Sequence, residues 1–209
     1  PQSAGMGAPP KGNALKKVTM SILNSLDDEI EEQPFEVVCD MELSMPVLEW
    51  DPLKLNSHIK DMNSVDFWQQ KGMQCAKKGQ IDAAMDYYRQ GLRKNPTEHV
   101  LIYSLAVCYL QLKKYKSAIH WFGKGVDLNP RWLDGLCGIA ITYFNMMDFD
   151  RAIKYTTMAK ENSKGSQLNK AQFDYKIITF IHASCLKMTD NLSEAGKCYM
   201  YLEVDFQRR

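Results

Sequence analysis

Apolar positions recur with helical spacing along most of this chain. Leu101, Leu105, Val107, Cys108 and Leu112 fall on one amphipathic period, and the same spacing predicts helices near residues 65–78, 81–94, 98–112, 115–128, 132–146, 148–161, 168–188 and 192–206. An earlier stripe of Leu15, Val18, Ile22, Leu26 and Ile30, with Leu23 beside it, predicts an amphipathic helix over residues 14–32. A helix of that length is marginal alone in water and needs a surface to cover its stripe. The period then changes. Phe35, Val37, Cys39, Met41, Leu43 and Met45 alternate with polar residues, so residues 35–53 read as extended. Pro46 and Pro52 break that segment, and Trp50 is its expected anchor on the rest of the chain.

The central pattern repeats. Val65 to Glu98 and His99 to Trp132 are each 34 residues and align landmark on landmark. Gly72 matches Ala106, Ala84 matches Ala118, Tyr88 matches Phe122, Gly91 matches Gly125, and Pro96 matches Pro130. A third stretch from Leu133 keeps Ala140, Tyr143, Ala152 and Ala159 but has Thr156 at the large aromatic position and Lys164 at the proline. Small residues at Gly72, Ala106 and Ala140 allow paired helices to approach closely. Gly91 and Gly125 lie inside helices, where glycine costs about 1 kcal/mol against alanine, so close packing is the reason expected for them. Asn95-Pro96 and Asn129-Pro130 are expected helix stops, with asparagine in a left-handed cap.

With Trp68 and Tyr109 added, these landmarks resemble the tetratricopeptide repeat family. The resemblance implies an all-α, right-handed superhelical solenoid of antiparallel helix pairs. Three units are clear, and a degenerate fourth, with Ala195 at its small position, follows an insertion. The expected organisation is a linker at residues 1–13, an acidic arm at 14–56 and a repeat body at 57–209. Residues 1–10 read as a linker from a longer chain.

Charge divides the chain in the same place. Residues 18–53 hold ten acids and neither lysine nor arginine, whereas residues from Lys54 onward hold 23 Lys/Arg against 15 Asp/Glu. An acidic arm precedes a basic body, although the whole chain carries only +1. No apolar run is long enough to span a membrane. The six cysteines form no CxxC pair and show no zinc spacing, so buried thiols in a reducing compartment are expected, with no metal or other cofactor. The cytoplasm is the first expectation for location; cytoskeletal, ciliary and nuclear assemblies are the alternatives.

No HExxH, GxSxG or P-loop is present, and Asp148 reads as a helix cap rather than a catalytic carboxylate. The chain is therefore expected to be no enzyme. The resemblance implies an intracellular scaffold or adaptor that binds other proteins in the concave groove lined by the first helix of each pair. By register the groove residues are Gln69, Met73, Lys77, Val100, Tyr103, Val107, Gln111, Asp134, Cys137, Ile141 and Asn145, with Val107 and Ile141 equally placed to be inter-repeat core. An apolar centre with a polar rim suits an amphipathic or extended peptide. Family members that clamp acidic chaperone tails place lysine, asparagine and arginine where this chain has Gln69, Met73, Ser104, Asp134 and Gly138. No such carboxylate clamp is expected. The arm, through Leu15, Ile22, Leu26, Phe35, Val37, Met41, Leu43 and Trp50, is expected to dock along the basic repeat surface or in the groove, in its own chain or in a homo-oligomer mate; the rival is that it reaches out to another subunit of a larger assembly. The rival class is RNA binding by the basic body, through the clusters of Arg89, Arg93 and Lys94 and of Lys113, Lys114 and Lys116.

Overall fold

The computed structural model describes residues 13–26, 64–164 and 173–207. Residues 35–53, with Phe35, Val37, Met41, Leu43 and Trp50, lie outside the described residues. Those described form α1 (Asn13–Ser25), α2 (Val65–Lys77), α3 (Ile81–Lys94), α4 (His99–Gln111), α5 (Tyr115–Leu128), α6 (Leu133–Asn145), α7 (Phe149–Lys164), α8 (Phe173–Met188) and α9 (Leu192–Gln207). No strand occurs among them. From α2 onward the helices pair as antiparallel hairpins, α2 with α3, α4 with α5, α6 with α7 and α8 with α9, and each hairpin packs on the next. This is an all-α repeat solenoid.

Four identical turns show that the fourth pair belongs to the series. Gly79, Lys113, Met147 and Asp190 have φ of 76°, 57°, 61° and 58°, the left-handed region that ends a helix. In each turn the next N–H reaches back five residues. Gln80 donates to Cys75, Lys114 to Tyr109, Asp148 to Tyr143 and Asn191 to Leu186, over 2.9–3.0 Å. The small residues keep the same step. Ala183 and Ala195 are buried twelve positions apart, as Ala140 and Ala152 are. Asp148 caps α7, its Oδ1 accepting from the Arg151 N–H at 3.1 Å.

The repeat ends are built differently from expectation. Asn95 and Asn129 have φ of −130° and −141°, with ψ of 79° and 98°. They are extended rather than left-handed. The cause is the following proline, whose ring excludes helical backbone at the residue before it. Each asparagine N–H still closes its helix on Gly91 or Gly125.

Glycines sit where helices meet. A Cβ at Gly91 would lie 2.9 Å from Trp68 Cβ and 2.7 Å from Leu101 Cδ1, at the junction of α2, α3 and α4. A Cβ at Gly72 would overlap the Tyr88 ring, one at Gly125 the Trp132 ring, and one at Gly138 the Phe122 ring. Thr156, in the position that carries an aromatic ring in earlier repeats, is buried. It donates to a backbone carbonyl of its own helix, and its hydroxyl lies 2.7 Å from His182 Nδ1. A polar pair thus replaces the ring between α7 and α8.

First and second helices play different parts. α2, α4, α6 and α8 pack directly on one another in sequence, whereas α3, α5 and α7 show no comparable packing among themselves. The first helices therefore line the inner face and the second helices splay on the outer one. α1 lies against α5, on the outer side.

Two glycines in second helices should respond with opposite sign. Gly91→Ala should destabilise by about 1–2 kcal/mol, because Trp68 Cβ cannot swing away. Gly123 has nothing within 4 Å of an added Cβ, so Gly123→Ala should stabilise by about 0.5–1 kcal/mol. Urea midpoints of the two variants check this. Acid supplies a second test. Burial, aided by Lys160, pushes His182 down to about 4 from its ordinary 6.5. Below 6.5 the unfolded chain takes up a proton that the folded chain refuses, so stability is full above pH 6.5 and falls towards pH 4. Water reaching the half-buried ring holds the loss to about 2 kcal/mol. His182→Gln should lose that much less than the parent over this range.

Candidate functional site

The inner face carries the groove. Gln69 and Met73 of α2, Val100, Tyr103 and Val107 of α4, and Cys137 and Asn145 of α6 are half-buried, while Lys77, Gln111 and Asp134 are exposed. Packing of first helix on first helix brings these three rows side by side. The centre is apolar and the edges are polar or charged. Two residues sit deeper than their spacing implies. Tyr103 makes edge contacts with Phe122 at 5.6 Å and Trp132 at 6.2 Å between centroids, so its ring is wedged between repeats. Ile141 is only 4% exposed, inside a cluster with Phe144, Ala152, Ile181 and Cys185. It belongs to the core and not to the groove. The fourth hairpin covers it, and helical register within one repeat cannot foresee that cover. Val107 packs partly against the core, with one side left at the surface.

The five positions that a carboxylate clamp requires carry no cation. Ser104 is buried, donating to the Val100 carbonyl at 2.8 Å and hydrogen-bonding Tyr88. Gly138 is closed over by the Phe122 ring. Asp134 is exposed and of the wrong sign.

The outer face carries the arm helix. Ile22 is 0% and Leu26 5% exposed, both within the core cluster that runs from α3 to α6, and Val18 and Leu23 pack beside them. Leu15 stays 40% exposed, so it anchors α1 less than its place in the stripe implies. Two polar contacts complete the seat. Ser25 Oγ lies 3.0 Å from His120 Nε2, and Lys124 Nζ donates to Ser21 Oγ. The helical part of the arm, α1, thus lies against the body of the same chain, on the second helix of a pair and not in the groove, while the remaining arm anchors lie outside the described residues. The acids of the arm lie beyond α1, so what holds this helix is apolar burial rather than the charge contrast between arm and body. His120, Lys124, Ser21 and Ser25 escaped attention in the sequence. One signal was there: each pair is four residues apart, so both polar rows keep the step of their helix.

Among the described residues no cluster of His, Cys, Asp or Glu is arranged to hold a metal, and no helix is long and apolar enough to cross a membrane. Burial pushes the thiols of Cys108 and Cys185 up to about 12, away from nucleophilic or ligating chemistry.

Residues 76–134 match the family model of the tetratricopeptide repeat. Heat shock protein STI1 of Saccharomyces cerevisiae is 24% identical over 112 residues, which are 53% of this chain and 19% of that protein. The chain thus spans about a fifth of that curated relative. A crystal structure of MamA superposes with a TM-score of 0.59 at 16% identity, over 71% of this chain and 84% of that one. The first TPR of Spaghetti (RPAP3), bound to the HSP90 peptide SRMEEVD, gives 0.52 at 21% identity, over 62% and 95%. At these identities the likeness shows the fold alone.

The different depths of the groove residues are measurable. Ile141→Ala should cost about 2–4 kcal/mol in stability as a core truncation, while Gln69→Ala should stay within about 0.5 kcal/mol of the parent. Denaturant unfolding of both variants tests the assignment.

Proposed function

We propose that this chain, whose body is built of tetratricopeptide repeats, is a non-catalytic scaffold that holds a segment of another protein in its inner groove. The observation that carries this reading is the row of half-buried apolar side chains on three consecutive first helices, Met73, Val100, Val107 and Cys137, flanked by Lys77, Gln111 and Asp134. Half-buried apolar residues in a concave face gain most when an extended or amphipathic peptide covers them. The α1 seat supports the reading by its position. The arm helix lies on α5, and among the described residues none covers the inner face, which supports a partner there.

The occupant differs in chemistry from the HSP90 peptide held by the first TPR of Spaghetti (RPAP3). An acidic tail needs cationic forks at its carboxylates. The matching positions here are Gln69, Met73, Ser104, Asp134 and Gly138, of which one is itself an acid. Peptide anchors for this groove are apolar.

Selection from a random peptide library against the full chain tests the reading. The selected peptides should carry spaced apolar anchors, and the double variant Met73→Asp, Val100→Asp should bind them at least about tenfold more weakly at unchanged helicity. Equal binding to parent and variant would remove the inner face as the site. In parallel, calorimetry with SRMEEVD should show no saturation below about 1 mM.

A further inference from the structure

We propose that the outer face of α5 is a second binding site, for an amphipathic helix carrying a carboxylate, and that α1 is its built-in, replaceable occupant. α1 shows what the seat accepts. Ile22 and Leu26, one turn apart, fill the apolar part, and Ser21 and Ser25 meet Lys124 and His120 along its edge. Ser25 Oγ donates its own proton to the Ser21 carbonyl at 2.7 Å, so it accepts from the His120 Nε2–H. Both body side chains on this edge are therefore donors.

α1 fills the seat incompletely. Leu15, in the stripe that faces the body, remains 40% exposed. Lys124 gives its ammonium to a neutral hydroxyl, whereas a charge-assisted bond to a carboxylate is about twice as strong. Lys124 enters none of the ion pairs seen among the described residues, such as Arg89 with Asp86 and Lys197 with Glu194. A helix with the same apolar step and an acid at the place of Ser21 complements this edge better than α1 does.

The covalent tether explains how a mediocre ligand stays seated. Residues 27–63 join α1 to the body, and a covalent tether of a ligand to its own receptor gives an effective concentration on the order of 1 mM. An intrinsic dissociation constant somewhat below 1 mM keeps α1 docked, and a better helix in trans displaces it. The site differs from the inner groove in face, in residues and in the chemistry of its occupant.

The test uses the full chain with its seat opened by Ile22→Asp and a labelled peptide of residues 13–26. Leu26→Asp takes its place if Ile22→Asp lowers the melting temperature of the body. The opened chain should bind the peptide saturably with a dissociation constant below about 1 mM. A peptide with Ser21→Glu should bind about fivefold more tightly. Lys124→Met in the opened chain should erase that gain, and the parent chain, its seat filled, should bind the Ser21→Glu peptide at least about threefold more weakly than the opened chain does. The groove variant Met73→Asp, Val100→Asp, combined with the opened seat, should bind it unchanged. Absence of saturable binding to a folded opened chain, equal affinity for the two peptides, or indifference to Lys124 would each overturn the proposal.

Discussion

Three junctions of this solenoid, α2 with α3, α3 with α4 and α5 with α6, depend on an aromatic ring or branched side chain lying on backbone that has no side chain of its own. Gly72 lies under Tyr88, Gly138 under Phe122, Gly125 and Gly135 about Trp132, and Gly91 between Trp68 and Leu101. These contacts fix how near one helix comes to the next. The distance in turn sets which residues the inner face shows and which it swallows. A repeat lacking such a contact needs another way to fill the gap. The third repeat does so with Thr156 and His182, at the expense of acid stability.

Two surfaces follow from this packing. First helices touch in sequence and make a continuous inner wall; second helices splay and leave room on the outside, where α1 lies. The inner wall presents apolar side chains with polar edges. The outer seat has an apolar floor with donors along one side. The proposed groove and the α1 seat thus differ in polarity as well as in face.

Most of the fold was legible because the repeat is a local pattern. The helix spans from Val65 onward follow from spacing, and the turns after each first helix recur at one position in all four pairs. Asn95 and Asn129 were misread because asparagine's tolerance of left-handed backbone was weighed above the constraint from the next proline. Ile141 was left open between groove and core, and what decides for the core is Ile181 and Cys185, forty and more residues away in the chain. The α1 seat was half legible. The stripe announced that the helix needed cover, but α5 looked complete as the second helix of its own repeat. Only the fold shows that, among the described residues, its outer edge is covered by α1.

Amide hydrogen exchange across the whole chain tests the central claim, that the arm helix occupies the outer face and leaves the inner one free. In the parent chain, residues 18–25 of α1 should exchange well below free-peptide rates. Ile22→Asp should restore free-peptide rates there while α2, α4 and α6 keep their protection. Free-peptide exchange of α1 in the parent, or loss of protection along α4 when α1 is released, would contradict the account.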